Sequence, residues 1–122
     1  MRRAEFEHLV EEALERIPAP FRQAMHNVAI LIEDWPDPEV VEEITGDKNE
    51  LIYGLFSGVS LLEQHVEDSG DLPPMIEIYQ RPLEEDFPVR EQLIEEIEIT
   101  LVHEIAHFMG LDEDQVREYG YE

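Results

Sequence analysis

The sequence predicts a single α+β domain over residues 1–122, in which a small mixed sheet of about three strands packs against a long C-terminal helix and an N-terminal helix. Two patterns lead to this prediction. Short apolar runs at residues 28–32, 51–56 and 75–79 have the length and residue types of strands. Apolar residues at helical spacing extend over residues 4–17 and 89–108.

The first half of the chain is predicted to be scaffold. The helix over residues 4–17 ends at Pro18 and Pro20, because proline cannot continue a helix. The continuous apolar run at 28–32 favours a strand that is covered on both faces. A short helix is predicted from Asp37 to Thr45, with Gly46 as its end.

The middle of the chain is predicted to supply two further strands. In the strand at 51–56, Gly54 suggests a bulge or a close backbone approach. Residues 60–71 are polar and rich in turn formers, and no regular element is predicted there. The strand at 75–79 alternates apolar and polar residues after Pro73 and Pro74, which favours a position at the edge of the sheet.

The composition narrows the possible partners and locations. Eight basic and 31 acidic residues give a net charge of −23, which argues against nucleic acid and anionic membranes but permits a basic partner. Solvated helix faces are the commoner explanation of such acidity. The chain has no cysteine, so disulfides and thiolate metal sites are excluded. Without a membrane-spanning apolar run or a secretory signal, we expect a cytoplasmic protein.

The longest helix, predicted from Pro88 to Gly110, contains His103, Glu104 and His107 in the pattern H-E-x-x-H. Residues four apart lie on the same side of a helix, so the two imidazoles can share one zinc ion. Glu104 lies beside the pair, where it could take a proton from a metal-bound water. The apolar stripe of this helix faces another direction and leaves the histidines free of the core. That stripe is formed by Val89, Leu93, Ile94, Ile97, Leu101, Ile105 and Phe108.

A third zinc ligand is predicted after the helix. Gly110 can turn the chain back, and Glu113 then stands at the eleventh position counted from His103. Asp112 and Asp114 remain alternatives to Glu113. The same acidic residues also suit the start of a short helix, with Asp112 as its cap and Gln115 completing a capping box.

These motifs, from about residue 28 to the C-terminus, resemble the small bacterial minimal-zincin metallopeptidase-like family. The resemblance rests on the H-E-x-x-H helix, its glycine, the acidic run and the preceding strand at 76–79. It implies a reduced zincin fold, with His103 and His107 as zinc ligands, Glu104 as general base and the acidic residue after the glycine as third ligand. The methionine turn of metzincins and the later ligand-bearing helix of gluzincins have no counterpart here.

Three functions follow as hypotheses. In the first, Glu104 and zinc hydrolyse peptide bonds. The strand at 76–79 aligns a peptide or protein substrate, and the negative charge of this protein permits that substrate to be basic. In the second, the zinc is structural and the chain is an acidic interaction module. The third is a metal-dependent endoribonuclease, since that class shares the spacing, although the charge of −23 suits RNA poorly.

Overall fold

The computed structural model describes residues 1–58 and 73–121, and the turn-rich stretch predicted for residues 60–71 lies outside this range. The described residues form an α+β fold with a mixed sheet, as predicted. The elements in chain order are α1 (Arg3–Arg16), α2 (Ala19–Ala24), a 3-10 turn (Met25–Asn27), β1 (Ala29–Glu33), α3 (Pro38–Thr45), β2 (Gly54–Ser57), β3 (Met75–Tyr79), α4 (Gln80–Asp86), α5 (Arg90–Met109) and α6 (Glu113–Glu118).

The described sheet has the order β1-β3-β2. Strand β1 pairs with β3 in parallel, with Ile30 opposite Ile76. Strand β2 pairs with β3 antiparallel, with Phe56 opposite the same residue. Strand β3 is therefore central, and the prediction that residues 75–79 form an edge strand is wrong.

The prolines before β3 explain this error. They precede the ladder and remove no hydrogen bond from it, and the carbonyl of Pro74 accepts one from the backbone N–H of Ala29 at 3.2 Å. Proline lacks a donor but keeps its acceptor, so it can flank a central strand. The edge positions belong to β1 and β2.

Strand β1 also differs from its prediction. Its residues alternate between exposed and half-buried, and Leu31 is 44% exposed. The continuous apolar run predicted that both faces of the strand are covered. In the described part of the chain, β1 is an edge strand, and Ile30 and Ile32 are its residues that pack against the core. The run of apolar residues therefore did not distinguish a doubly covered strand from an edge strand.

The core lies between the sheet and helices α1 and α5. Phe6 and Ala13 of α1 and Ile97 and Leu101 of α5 are fully buried, together with Ile76 and Ile78 of β3. The predicted stripe of α5 is buried except Val89, which is 61% exposed because it is the N-cap and the helix starts at Arg90. This packing fixes the rotation of α5 about its axis and therefore the direction of its remaining side chains.

Three local predictions are confirmed and two helices were not foreseen. Helix α1 spans nearly the predicted residues, and α3 starts at an Asp37 cap and ends at Gly46, whose φ is 83°. Helices α2 and α4 are too short to show a helical period in sequence.

Within the described residues, no helix is long and apolar enough to cross a membrane.

Candidate metal centre

Helix α5 carries the H-E-x-x-H residues at the margin of the packed core. Val102, Ile105 and Ala106 beside them are buried, while His103 and Glu104 are half-buried and His107 is exposed. The motif thus lies where the helix leaves the core and meets solvent. Its side chains can reach a ligand without breaking the packing of the helix.

Gly110 ends α5 in the left-handed conformation, with φ of 76°. Its N–H donates to the carbonyl of His107 at 3.1 Å, and the N–H of Leu111 donates to that of Ala106 at 2.9 Å. This pair of bonds is a Schellman motif, which turns the chain sharply at the end of a helix. The predicted glycine turn is present.

The turn leads directly into α6 and its cap. Asp112 accepts the N–H of Gln115 through Oδ1 at 2.8 Å, and the Gln115 side chain accepts the N–H of Asp112 at 2.9 Å. The predicted capping box is therefore confirmed. Because one oxygen of Asp112 is held in this cap, Asp112 is less available as a metal ligand than Glu113.

A cavity of about 410 Å³ lies between the end of α5 and the start of α6. All the residues predicted for the site line this cavity except Asp114. Asp114 is exposed and lies 3.6 Å from Arg117. The lining residues are His103, Glu104, His107, Leu111, Asp112, Glu113 and Val116.

The donor atoms of this cavity fit a zinc ion in two respects. The Nε2 atom of His103 is buried and has no hydrogen-bond partner within the described residues, and a polar atom in that position costs free energy unless something binds it. Two imidazoles and a carboxylate are also a donor set that zinc accepts. In the described part of the chain, however, no group of three such side chains is already arranged to hold a metal ion. The exposed Glu113 must therefore move toward the histidines if it is to complete the site.

The carboxylate of Glu104 is held by the sheet. Its Oε1 accepts the backbone N–H of Phe56, in β2, at 2.8 Å. Burial raises the pKa of Glu104, while the bond from Phe56 and the neighbouring histidines His107 and His103 act in the opposite direction. No sequence pattern indicates this contact, because the position of a backbone donor on a distant strand depends on the tertiary fold.

The family-model comparison matches the description "zincin-like metallopeptidase" over residues 25–121, which is more than half of the chain. The chain belongs to the zincin-like metallopeptidase family. This match agrees with the resemblance inferred from the motif and with the mixed helix and sheet of the structure. Comparison with curated proteins gave no match.

A second cavity, of about 280 Å³, opens on the other side of the motif in this zincin-like protein. It lies between α5 and residues 52–54, and His103 and Glu104 line it as they line the first cavity. Gly54 permits the close packing here, since a Cβ atom on it would lie 2.7 Å from Cγ2 of Thr100. The prediction of a close backbone approach at Gly54 is confirmed.

Proposed function

We propose that this protein is a zinc-dependent peptide hydrolase in which Glu104 is the general base. The observation that carries the proposal is the buried Nε2 of His103, which has no hydrogen-bond partner among the described residues. His103 lines a cavity that Glu104 and His107 also line. Family membership supports the same class of activity. A metal ion bound at this nitrogen would supply the partner that it lacks among the described residues.

His103, His107 and Glu113 are the residues we propose as zinc ligands. A bound zinc ion would polarise the substrate carbonyl and lower the pKa of water toward about 7. Glu113 is preferred to its neighbours, because Asp112 is held in the capping box and Asp114 is directed away from the cavity.

Two features of Glu104 support its proposed role as general base. One carboxylate oxygen is oriented by the N–H of Phe56, and its other oxygen has no hydrogen-bond partner within the described residues. That second oxygen can accept a proton from the attacking water and deliver it to the leaving amine nitrogen. The bond to Phe56 limits rotation of the carboxylate, which reduces the cost of orienting it for proton transfer.

Strand β2 is the element that we propose to align the substrate. The N–H of Tyr79 donates to the carbonyl of Tyr53, so in this antiparallel ladder the backbone groups of Gly54 and Phe56 point away from β3. The donation from Phe56 to Glu104 agrees with this direction. No other strand of the described sheet covers this outer edge, so an extended peptide bound along it would run beside Glu104. This role passes to β2 because β3 is central.

The test is hydrolysis of a mixture of internally quenched peptides by wild type and Glu104→Gln, each with and without a chelator. We expect wild-type cleavage that stops when zinc is removed and returns when zinc is restored. Glu104→Gln should retain zinc and lose at least about 100-fold in rate, the low end of the contribution of a general base. Equal cleavage by the two proteins would refute the role of Glu104.

The same experiment separates the proposal from the alternative of a non-catalytic zinc module. Stoichiometric zinc in a wild-type protein that cleaves no peptide would favour that module.

The expected cytoplasmic location and the absence of nucleic acid among the partners stay predictions.

A further inference from the structure

The cavity between β2 and α5 contains an acidic group that the proposed hydrolysis does not use. Glu96 lies on α5 two turns before His103 and lines this cavity together with Tyr53 and Thr100. Its carboxylate is half-buried, and within the described residues it has neither a hydrogen bond nor an ion pair. A carboxylate placed in this way can still gain a charged partner.

The surroundings of Glu96 favour a cation. Neither this cavity nor the one at the end of α5 is lined by a lysine or an arginine. The hydroxyl of Tyr53 donates to Asp86, so its proton is not available for a hydrogen bond to Glu96. Burial raises the pKa of Glu96, and Glu95 adds to this effect, whereas His103 lowers it. The carboxylate therefore lies in an acidic cavity that a positively charged ligand would complement.

The cavity adjoins the proposed reaction centre. His103 and Glu104 line both cavities, so these two side chains lie between the two spaces. A ligand at Glu104 that extends along α5 toward its N-terminus would enter the space beside Glu96. This space is large enough for one long side chain, at about 280 Å³.

The register between β2 and α5 sets how far along a substrate this cavity lies. Gly54 adjoins Thr100, and Phe56 adjoins Glu104, so the strand and helix run in the same direction. Two strand residues advance about 6.8 Å and four helical residues about 6 Å. A substrate residue two positions from the reacting carbonyl thus lies near Thr100. One further helical turn of about 5.4 Å separates it from Glu96, a span that a lysine or arginine side chain can cover.

We propose that the cavity beside Glu96 binds a lysine or arginine side chain of the substrate, one or two residues from the reacting carbonyl. Glu96 is the specificity-determining residue of this subsite. The inference rests on the proposed function for its substrate, a peptide, and adds the class of side chain that the substrate carries. Tyr53 and Ile99 flank the aliphatic part of that side chain, and Glu96 pairs with its charged end.

The test is binding of fluorescent peptides to the full-length, zinc-loaded Glu104→Gln protein, in which turnover is suppressed. Peptides of alanine carry one arginine at successive positions, and matched peptides carry citrulline, which has the shape of arginine without its charge. We expect an arginine peptide to bind at least about tenfold more tightly than its citrulline partner, the effect of one charged hydrogen bond. Adding Glu96→Gln should remove this difference.

Glu95→Gln is the matched control, because Glu95 is the exposed neighbour of Glu96 on the same helix. It removes the same charge, so a preference for arginine that survives Glu95→Gln but not Glu96→Gln is not a general effect of the net charge of −23. Zinc affinity is measured in parallel. If Glu96→Gln weakens zinc binding and leaves the arginine preference intact, Glu96 supports His103 and the subsite is refuted.

The outcomes also separate this inference from the proposed hydrolysis. Cleavage of peptides by wild type without preference for arginine over citrulline would keep the hydrolase and refute the subsite. Tight, Glu96-dependent binding of arginine peptides that wild type never cleaves would keep the subsite and refute the hydrolase. Equal or absent binding of the two peptide series would also refute the subsite.

Discussion

The Oε1 atom of Glu104 accepts a 2.8 Å hydrogen bond from the backbone N–H of Phe56. The bond connects the motif helix α5 to the edge strand β2 across 48 positions of sequence. It places the carboxylate of the proposed base beside the strand that we propose to hold the substrate. The proposed catalytic group and the proposed substrate support are therefore linked directly to each other.

This link predicts the behaviour of Glu104→Gln. The glutamine carbonyl can still accept the N–H of Phe56, while the charge that burial disfavours is removed. We expect a zinc-free Glu104→Gln protein to be at least as stable as the wild type in urea unfolding. A clearly less stable variant would mean that the charge itself stabilises the fold. Glu98→Gln provides a comparison at another helix carboxylate, which accepts from Tyr121 at 2.6 Å.

Gly54→Ala should destabilise the contact between β2 and α5. The added Cβ would lie 2.7 Å from Cγ2 of Thr100 and 3.1 Å from the carbonyl oxygen of Glu77. Overpacking of this kind costs about 1–3 kcal/mol, which urea unfolding can measure. The double variant Gly54→Ala with Thr100→Ser should recover part of this loss, because serine lacks Cγ2 and keeps the hydroxyl that donates to the Glu96 carbonyl. Wild-type stability in Gly54→Ala alone would contradict the close contact.

Gly110→Ala should weaken zinc binding as well as stability. An alanine in the left-handed conformation costs about 1–2 kcal/mol, and relief of that strain would redirect residues 111–113. Gly46→Ala is the matched control, since Gly46 has a similar φ of 83° at the end of α3 and does not line the cavity between α5 and α6. Both variants should lose stability, but only Gly110→Ala should lose zinc affinity in chelator competition. Equal zinc affinities would show that the turn does not position a ligand.

Asp112→Asn and Glu113→Gln should separate the cap of α6 from the third ligand. Asparagine preserves an N-cap, so Asp112→Asn should retain both stability and zinc. Glu113→Gln should retain stability and lose zinc affinity. Asp112→Ala completes the series and should cost about 1 kcal/mol of stability through loss of the cap. If Asp112→Asn loses zinc and Glu113→Gln keeps it, Asp112 is the ligand instead.

Local sequence signals predicted α1, α3, α5 and α6, but not the short helices α2 and α4. The period of α1 and α5, the Asp37 and Asp112 caps and the glycines after α3 and α5 act over a few residues, so they are visible in the sequence. The cavity that gathers His103, His107 and Glu113 follows from the same signals, since one helix and one turn form it.

Strand order was not predictable from these signals, because pairing depends on residues far apart in the chain. The prolines before Met75 favoured an edge, whereas the pairing of β3 with both β1 and β2 makes it central. The contact of Glu104 with Phe56 has the same origin. It requires β2 to occupy the edge next to α5, and no property of residue 56 alone indicates that position.

Zinc content of the purified protein, measured by elemental analysis, tests the central claim that α5 presents His103 and His107 to one metal ion. His8→Ala is the control, because His8 is an exposed histidine on α1 that lies 3.6 Å from Glu11 and outside the cavity. We predict about one zinc per chain in wild type and His8→Ala, and almost none in His103→Ala. Full zinc content in His103→Ala would contradict the site.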